Sequence, residues 1–162
     1  MKKIKVGFLP LYIKLYDDSQ GLGYRIPMEK YMNMAINMLE TQGIEIVQAD
    51  VCRIKPEFDA AAAMFNEADV DAVITFHLAY SPSLESEKAL AATDLPLIIL
   101  DTTPDFTYDQ FTDSAALMLN HGIHGVQDMC NLLVRNNKEF FIESGHYLKS
   151  DVIDRVINRV KG

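Results

Sequence analysis

The segment Ala72–Ser83, AVITFHLAYSPS, decides the fold that this sequence encodes. Its first six residues are apolar, aromatic or β-branched up to the closing His77, and no charged side chain alternates with them. A run of this kind is typical of a strand buried on both faces of a parallel sheet. The sequence SLESE, which begins at Ser83, is typical of a helix with a serine cap and a nearby carboxylate. We therefore predict a buried strand followed by a helix over Ser83–Thr93.

The same alternation of strand and helix patterns runs through the whole sequence. It predicts strands at Ile4–Leu9, Ile44–Ala49, Ala72–His77, Pro96–Leu100 and Phe140–Ile142. It predicts helices at Pro27–Gln42, Lys55–Asp69, Ser83–Thr93, around Val126–Asn136 and at Asp151–Val160, with Ser150 as the cap of the last one. Right-handed crossovers leave few topologies for such a chain. We predict an α/β fold with a single domain over residues 1–162, a three-layer αβα sandwich around a flavodoxin-like five-stranded parallel sheet in the order 2-1-3-4-5.

Composition and charge disfavour several classes of partner. The chain has 162 residues, of which 49% are hydrophobic and 23% charged, as in ordinary globular proteins. The formal net charge of −8 disfavours nucleic acid and anionic membranes. The apolar runs are too short for a membrane span, and the N-terminus lacks a signal core. Cys52 and Cys130 form no metal or redox spacing, so we expect a cytoplasmic protein.

Ligands of such sheets bind at the carboxyl ends of the strands. All four histidines fall on that edge in the predicted order of elements. His77 ends the third strand, His146 follows the fifth, and the other two lie at the start of the fourth helix. The candidate substrate-binding residues at this edge are Tyr12, His77, Asn120, His121 and His124.

The helix start Asn120–Gly125, NHGIHG, has an unusual composition. Helix propensity alone would not choose two glycines and two histidines for a first turn. We interpret the glycines as places where the backbone comes close to a ligand. The asparagine and the histidines then offer hydrogen bonds to a polyhydroxylated molecule, a sugar or a polyol. A self-contained metal site is the weaker interpretation, because only Asp128 follows the histidines at helical spacing.

Other interpretations stay open or are weaker. A histidine at a strand end often only caps a carbonyl, and this is the favoured interpretation of His77 over a site residue. Cys130 and the methionines are assigned to the core, and Asp17 and Asp18 to the solvated surface. The segment Gly21–Ile26 lacks the third glycine of a dinucleotide motif, and no nucleophile elbow occurs. We therefore predict no catalytic residue in this chain.

Four motifs, in order along the chain, resemble one enzyme family. They are TFHLAYSP (75–82), LPLIILDTT (95–103), MLNHGIHG (118–125) and SGHY (144–147). Together they resemble the N-terminal domain of the L-arabinose/L-fucose isomerase family over most of its length. The resemblance implies an aldose–ketose isomerase that moves a proton between C1 and C2 with a divalent metal, typically manganese. It also implies a homo-oligomer in which this domain reaches toward a neighbouring subunit's active site.

Only some of the family's functional residues can be assigned to positions in this chain. His124 matches the family histidine that contacts the sugar, His121 stands where arabinose isomerases usually have Gln, and Tyr12 is a looser candidate. The family's metal ligands lie in later domains. We therefore expect the N-terminal domain of a longer isomerase-like protein, without a cofactor of its own and inactive alone. The alternative is a free-standing sugar-binding or regulatory module, because residues 70–76 and 95–101 also resemble one lobe of periplasmic-type sugar-binding proteins.

Overall fold

The computed structural model describes residues 3–162, and Met1 and Lys2 lie outside the described residues. Its centre is a five-stranded, all-parallel sheet in the order β2-β1-β3-β4-β5. The strands are β1 (Lys5–Leu11), β2 (Glu45–Gln48), β3 (Ala72–His77), β4 (Leu97–Asp101) and β5 (Phe140–Ser144). The predicted fold class and strand order are therefore confirmed.

Within residues 3–162, seven α-helices and one short 3-10 helix (Leu22–Tyr24) flank this sheet on both faces. The α-helices are α1 (Lys14–Gln20), α2 (Ile26–Thr41), α3 (Lys55–Glu67), α4 (Ser83–Ala92), α5 (Ala115–Leu119), α6 (Gly122–Arg135) and α7 (Val152–Lys161). One core lies between the sheet and helices α2 and α7, and the other lies between the sheet and helices α3, α4 and α6. Every residue of β3 is buried, as its sequence predicts. Among residues 3–162, no helix is long and apolar enough to cross a membrane.

Strand β1 extends past the predicted end at Leu9 because Pro10 fits within it. Pro10 has no backbone N–H, so a central strand normally excludes it. Its carbonyl points toward the β2 side, where it accepts from the backbone N–H of Cys52 at 2.9 Å. The ladder between β1 and β2 ends at the pair Phe8 and Gln48, before Pro10 is reached. The missing donor therefore interrupts no strand pairing on that side.

The two predicted serine caps differ in the structure. Pro82 precedes α4, and no side chain caps this helix. The Ser83 hydroxyl instead donates to the carbonyl of Gly125 at 3.4 Å and so joins α4 to α6. At α7 the N-cap residue is Asp151, and Ser150, one residue earlier, accepts from the backbone N–H of Val152 through its Oγ at 3.2 Å. The first cap prediction is wrong because the serine is the first residue inside the helix and not the residue before it.

The contact between Gly7 and Phe65 sets how closely α3 approaches the sheet. A Cβ atom at Gly7 would lie 2.7 Å from the ring of Phe65, which is itself buried. A ring packed inside a core has little room to move aside. Glycine is therefore required in β1 by packing, although glycine lowers the intrinsic stability of a strand.

We expect Gly7→Ala to lower the free energy of unfolding by about 1–3 kcal/mol, because the new methyl overpacks the core against Phe65. Gly23→Ala is the matched control, since a Cβ at Gly23 meets nothing within 4 Å. Urea denaturation of both variants measures the difference. A Gly7→Ala variant as stable as Gly23→Ala would contradict this account of the helix packing.

Candidate functional site

A cluster of polar rings lies where α6 begins, at the carboxyl edge of the sheet. The ring centroids of His121 and His124 are 4.4 Å apart, and those of Tyr80 and His121 are 5.5 Å apart. The Tyr80 hydroxyl donates to Asp128 Oδ2 at 3.1 Å. We call these four residues the α6 cluster. His124 and Asp128 are exposed, so the structure brings the two predicted histidines together on a surface that a ligand can reach.

The charge state of this cluster follows from its position. Partial burial lowers the pKa of His121, and the neighbouring His124 lowers it further. A neutral imidazole has one nitrogen that donates and one that accepts a hydrogen bond. His121 Nδ1 has no partner among residues 3–162. His121 therefore gives the cluster a neutral ring with a donor, an acceptor and a flat face.

The two glycines of α6 pack on His77. A Cβ at Gly125 would lie 2.7 Å from His77 Cδ2, and one at Gly122 would lie 3.1 Å from His77 Cβ. This corrects the interpretation of the helix start, because the space above both glycines is filled by the end of β3 and not open to a ligand. The glycines allow α6 to sit directly on the last residue of the central strand.

His77 is buried, with 4% of its surface exposed. Neither of its ring nitrogens has a hydrogen-bond partner among residues 3–162. Burial lowers the pKa of His77 to about 3, so the ring is neutral at ordinary pH. The predicted contact between His77 and a sugar does not fit this position, since α6 covers the side chain.

Asn120 and His146 hold the long loop that follows β4. Asn120 accepts from the backbone N–H of Asp105 at 2.9 Å, and its amide donates to Asp105 Oδ2 at 2.7 Å and to the carbonyl of Ala116 at 2.8 Å. His146 Nε2 donates to the carbonyl of Pro104 at 3.2 Å, while its Nδ1 accepts from the backbone N–H of Leu148. Asn120 is also buried. The predicted role of Asn120 as a sugar contact does not fit, because both groups of its amide are already used to shape the loop.

Tyr12 also faces the interior. It is fully buried, and its hydroxyl has no partner among residues 3–162. Its ring lies edge-on to Tyr16 at 5.8 Å between centroids, and the guanidinium of Arg25 lies 6.0 Å from its centre. Burial raises the pKa of Tyr12, and the charge of Asp17 raises it further. Tyr12 therefore offers a neutral phenol to the core and no surface to a sugar.

A charged network beside Tyr12 escaped the sequence analysis. Asp17 Oδ2 accepts from Arg25 Nη1 at 2.7 Å and from Arg53 Nη1 at 2.9 Å. Arg25 also pairs with Glu29, and Arg53 pairs with Glu57. The Asp17 side chain is only 6% exposed, which corrects its assignment to the solvated surface. The sequence offered one indication of this network. Asp17 follows β1 and Arg53 follows β2, and these two strands are neighbours in the predicted sheet.

The described residues do not supply a metal site. No group of three His, Cys, Asp or Glu side chains among residues 3–162 converges closely enough to hold an ion. The paired imidazoles of the α6 cluster are too few by themselves, since a protein metal site commonly uses three or four protein ligands. The manganese implied by the resemblance therefore finds no ligand set in this part of the chain.

Comparisons with known proteins leave the family open. No family model matches the sequence, and no curated protein matches it. The fold is similar to the crystal structure of the Escherichia coli transcriptional repressor ascG, with 12% sequence identity and a TM-score of 0.39. The similarity covers 87% of this chain and 59% of that chain, so this chain spans less than two thirds of that protein's length.

The burial of His77 predicts a loss of stability in acid. Below the ordinary histidine pKa of about 6.5, the unfolded chain binds a proton that folded His77 does not bind. The free energy of unfolding then falls as the pH drops from about 6.5 toward 3, by up to about 1.4 kcal/mol per pH unit from this residue. Urea denaturation between pH 7 and 5 measures the slope, and His77→Gln removes this contribution. Equal slopes in the two proteins would show that His77 is protonated in the fold.

Asp17 and its neighbour Asp18 provide a matched pair of variants. Asp17→Asn removes the charge that both arginines share, and we expect the free energy of unfolding to fall by about 1–3 kcal/mol. Asp18 pairs with Lys14 in solvent and is 57% exposed, so Asp18→Asn should change it by less than about 0.5 kcal/mol. Thermal or urea denaturation compares them. Two variants of equal stability would indicate that the network adds nothing to the fold.

Proposed function

We propose that this domain is the substrate-contacting and oligomerisation domain of an aldose–ketose isomerase-like protein of the L-arabinose/L-fucose type. In this proposal the α6 cluster contacts a sugar or polyol, and the metal ligands and the proton transfer belong to other parts of the full protein. The observation that carries the proposal is the arrangement of Tyr80, His121 and His124 on the exposed carboxyl edge of the sheet. His124 is the position that matches the family's sugar-contacting histidine, whereas His121 stands where arabinose isomerases usually have Gln.

The chemistry of the α6 cluster fits a hydroxyl-rich ligand. Each hydroxyl group of a sugar both donates and accepts hydrogen bonds, so it needs partners of both kinds. A neutral imidazole offers both, and the Asp128 carboxylate accepts. The faces of aromatic rings also pack against the C–H groups of a sugar ring, which bury apolar area on binding. The cluster would therefore position a substrate while its reaction is carried out by groups outside this domain.

The loop after β4 supports the oligomerisation part of the proposal. Four large apolar side chains are exposed on the loop and on the short helix that follows it: Phe106, Tyr108, Phe111 and Leu117. Phe111 is 84% exposed, although the loop itself is fixed by Asn120 and His146. Exposed apolar side chains grouped on an ordered surface mark contact sites for other proteins or domains. This surface lies on the same edge as the α6 cluster.

Binding of L-arabinitol to the 162-residue chain tests the proposal. We expect the amide signals of Tyr80 and of residues 121–128 to shift in ¹H–¹⁵N spectra during a titration. His124→Ala should weaken this binding by about fivefold or more, the equivalent of one hydrogen bond. Asn158→Ala is the control, since Asn158 is exposed on α7 at the other face of the sheet.

The same sample serves for an activity measurement. We expect no conversion of L-arabinose or L-fucose by this chain with added Mn²⁺, because the described residues offer no metal ligand set. Conversion by the purified chain would overturn the assignment of the chemistry to other parts of the protein. Titration shifts that avoid the α6 cluster, or that His124→Ala leaves unchanged, would overturn its role as a sugar contact.

A further inference from the structure

An open pocket lies at the carboxyl edge of the sheet, the edge that also carries the α6 cluster. It is located between α2 and the end of β2. Its volume is about 450 Å³. Arg25, the N-cap of α2, and Glu29 and Asn33 within this helix line the pocket at the spacing that places side chains on one helix face. Met32 also lines the pocket from α2. The opposite wall consists of Gln48, Ala49, Asp50, Val51 and Arg53. We call this the α2–β2 pocket.

The α2–β2 pocket is polar but does not favour an anion. The carboxylates of Asp17, Glu29 and Glu57 already pair with its two arginines. Asp50 adds a fourth carboxylate, so negative charges outnumber positive ones around the pocket. A phosphate or carboxylate ligand would find no guanidinium that is not already neutralised. The charge of the whole chain, −8, opposes an anion as well.

Two other ligand classes also fail to match the lining. A metal ion needs several converging ligands, and no such group occurs among residues 3–162. An apolar ligand would bury the amides of Asn33 and Gln48 and the charged groups without partners, which is costly. A neutral molecule with many hydroxyl groups meets neither obstacle. Each hydroxyl can donate to Asp50 or Glu29 and accept from an amide or a guanidinium N–H.

The arginines are held in place before any ligand arrives. Asp17 lies beneath both of them and is almost completely buried, so it fixes the two guanidinium groups relative to each other. The second oxygen of Asp17, Oδ1, has no partner among residues 3–162. Side chains ordered in advance lose less conformational entropy on binding, which favours affinity. The arginine N–H groups that are not used in these ion pairs therefore form a preordered set of donors in the lining of the pocket.

We propose that the α2–β2 pocket binds a neutral polyhydroxylated molecule of the size of a pentose or pentitol, at a site separate from the α6 cluster. Arg25 and Arg53 donate, Glu29 and Asp50 accept, and Asn33 and Gln48 do both. The proposal rests on the lining of this pocket and its charges, and does not depend on the isomerase assignment. It gives the domain two hydroxyl-binding surfaces on one edge of the sheet.

Asn33 and Asn37 allow a matched test on the intact chain. Both are exposed on α2, one turn apart, but only Asn33 lines the pocket. L-arabinitol is titrated into ¹⁵N-labelled protein to about 100 mM, well above a millimolar Kd. We expect shifts for amides of residues 25–33 and 48–53, and a fivefold or larger loss of affinity at these signals in Asn33→Ala. Asn37→Ala should keep the affinity of the unaltered protein. Glycine and inorganic phosphate are titrated as zwitterionic and anionic probes.

The map of the shifts separates this inference from the proposed function. Shifts at residues 25–33 and 48–53 that survive His124→Ala support the pocket, whether or not the α6 cluster also responds. Shifts confined to the α6 cluster overturn the pocket and leave the proposed function standing. Equal effects of Asn33→Ala and Asn37→Ala overturn the pocket. Tighter binding of phosphate or glycine than of L-arabinitol at these signals overturns the assignment to a neutral polyol.

Discussion

The burial of β3 on both faces and along both edges is the constraint on which the rest of the structure depends. Strands β1 and β4 pair with it on either side, and helices cover it above and below. The last residue of such a strand also has to be covered, and here that residue is a histidine. Gly122 and Gly125 allow α6 to rest on its ring. The α6 cluster therefore has its position because α6 covers the end of the central strand.

The sequence was sufficient for the fold because each strand and each covering helix carries its own periodic pattern. The buried run AVITFH, for example, gave β3 with the same bounds that the structure has. The short helices α1 and α5 were missed, since they span only seven and five residues and lack a repeated apolar face. The first strand was predicted to end at Leu9, and the backbone pairing that tolerates Pro10 depends on where a different strand ends.

The sequence predicted the candidate site less well than the fold, and the reason is physical. It placed His121 and His124 on the correct edge, because strand order determines which loops meet. It could not tell which side chains at that edge face inward. His77, Asn120 and Tyr12 have the polar groups of a binding site, but packing against α6, the β4 loop and α1 assigns them to the interior. Asp17 is the reverse case, since a residue interpreted as solvated pairs with two arginines, one of which, Arg53, lies 36 residues away along the chain.

Asn120 links the loop after β4 to the start of α6. It directly precedes His121, and its amide holds the backbone and the side chain of Asp105. The exposed aromatic loop after β4 and the segment that carries the histidine pair are therefore joined by hydrogen bonds and are not two independent surfaces. Phe106 is the residue next to Asp105, so a displacement of this part of the loop would break the hydrogen bonds that Asn120 makes with Asp105. A partner bound to the loop after β4 would therefore contact a segment that is hydrogen-bonded to the residue directly before His121.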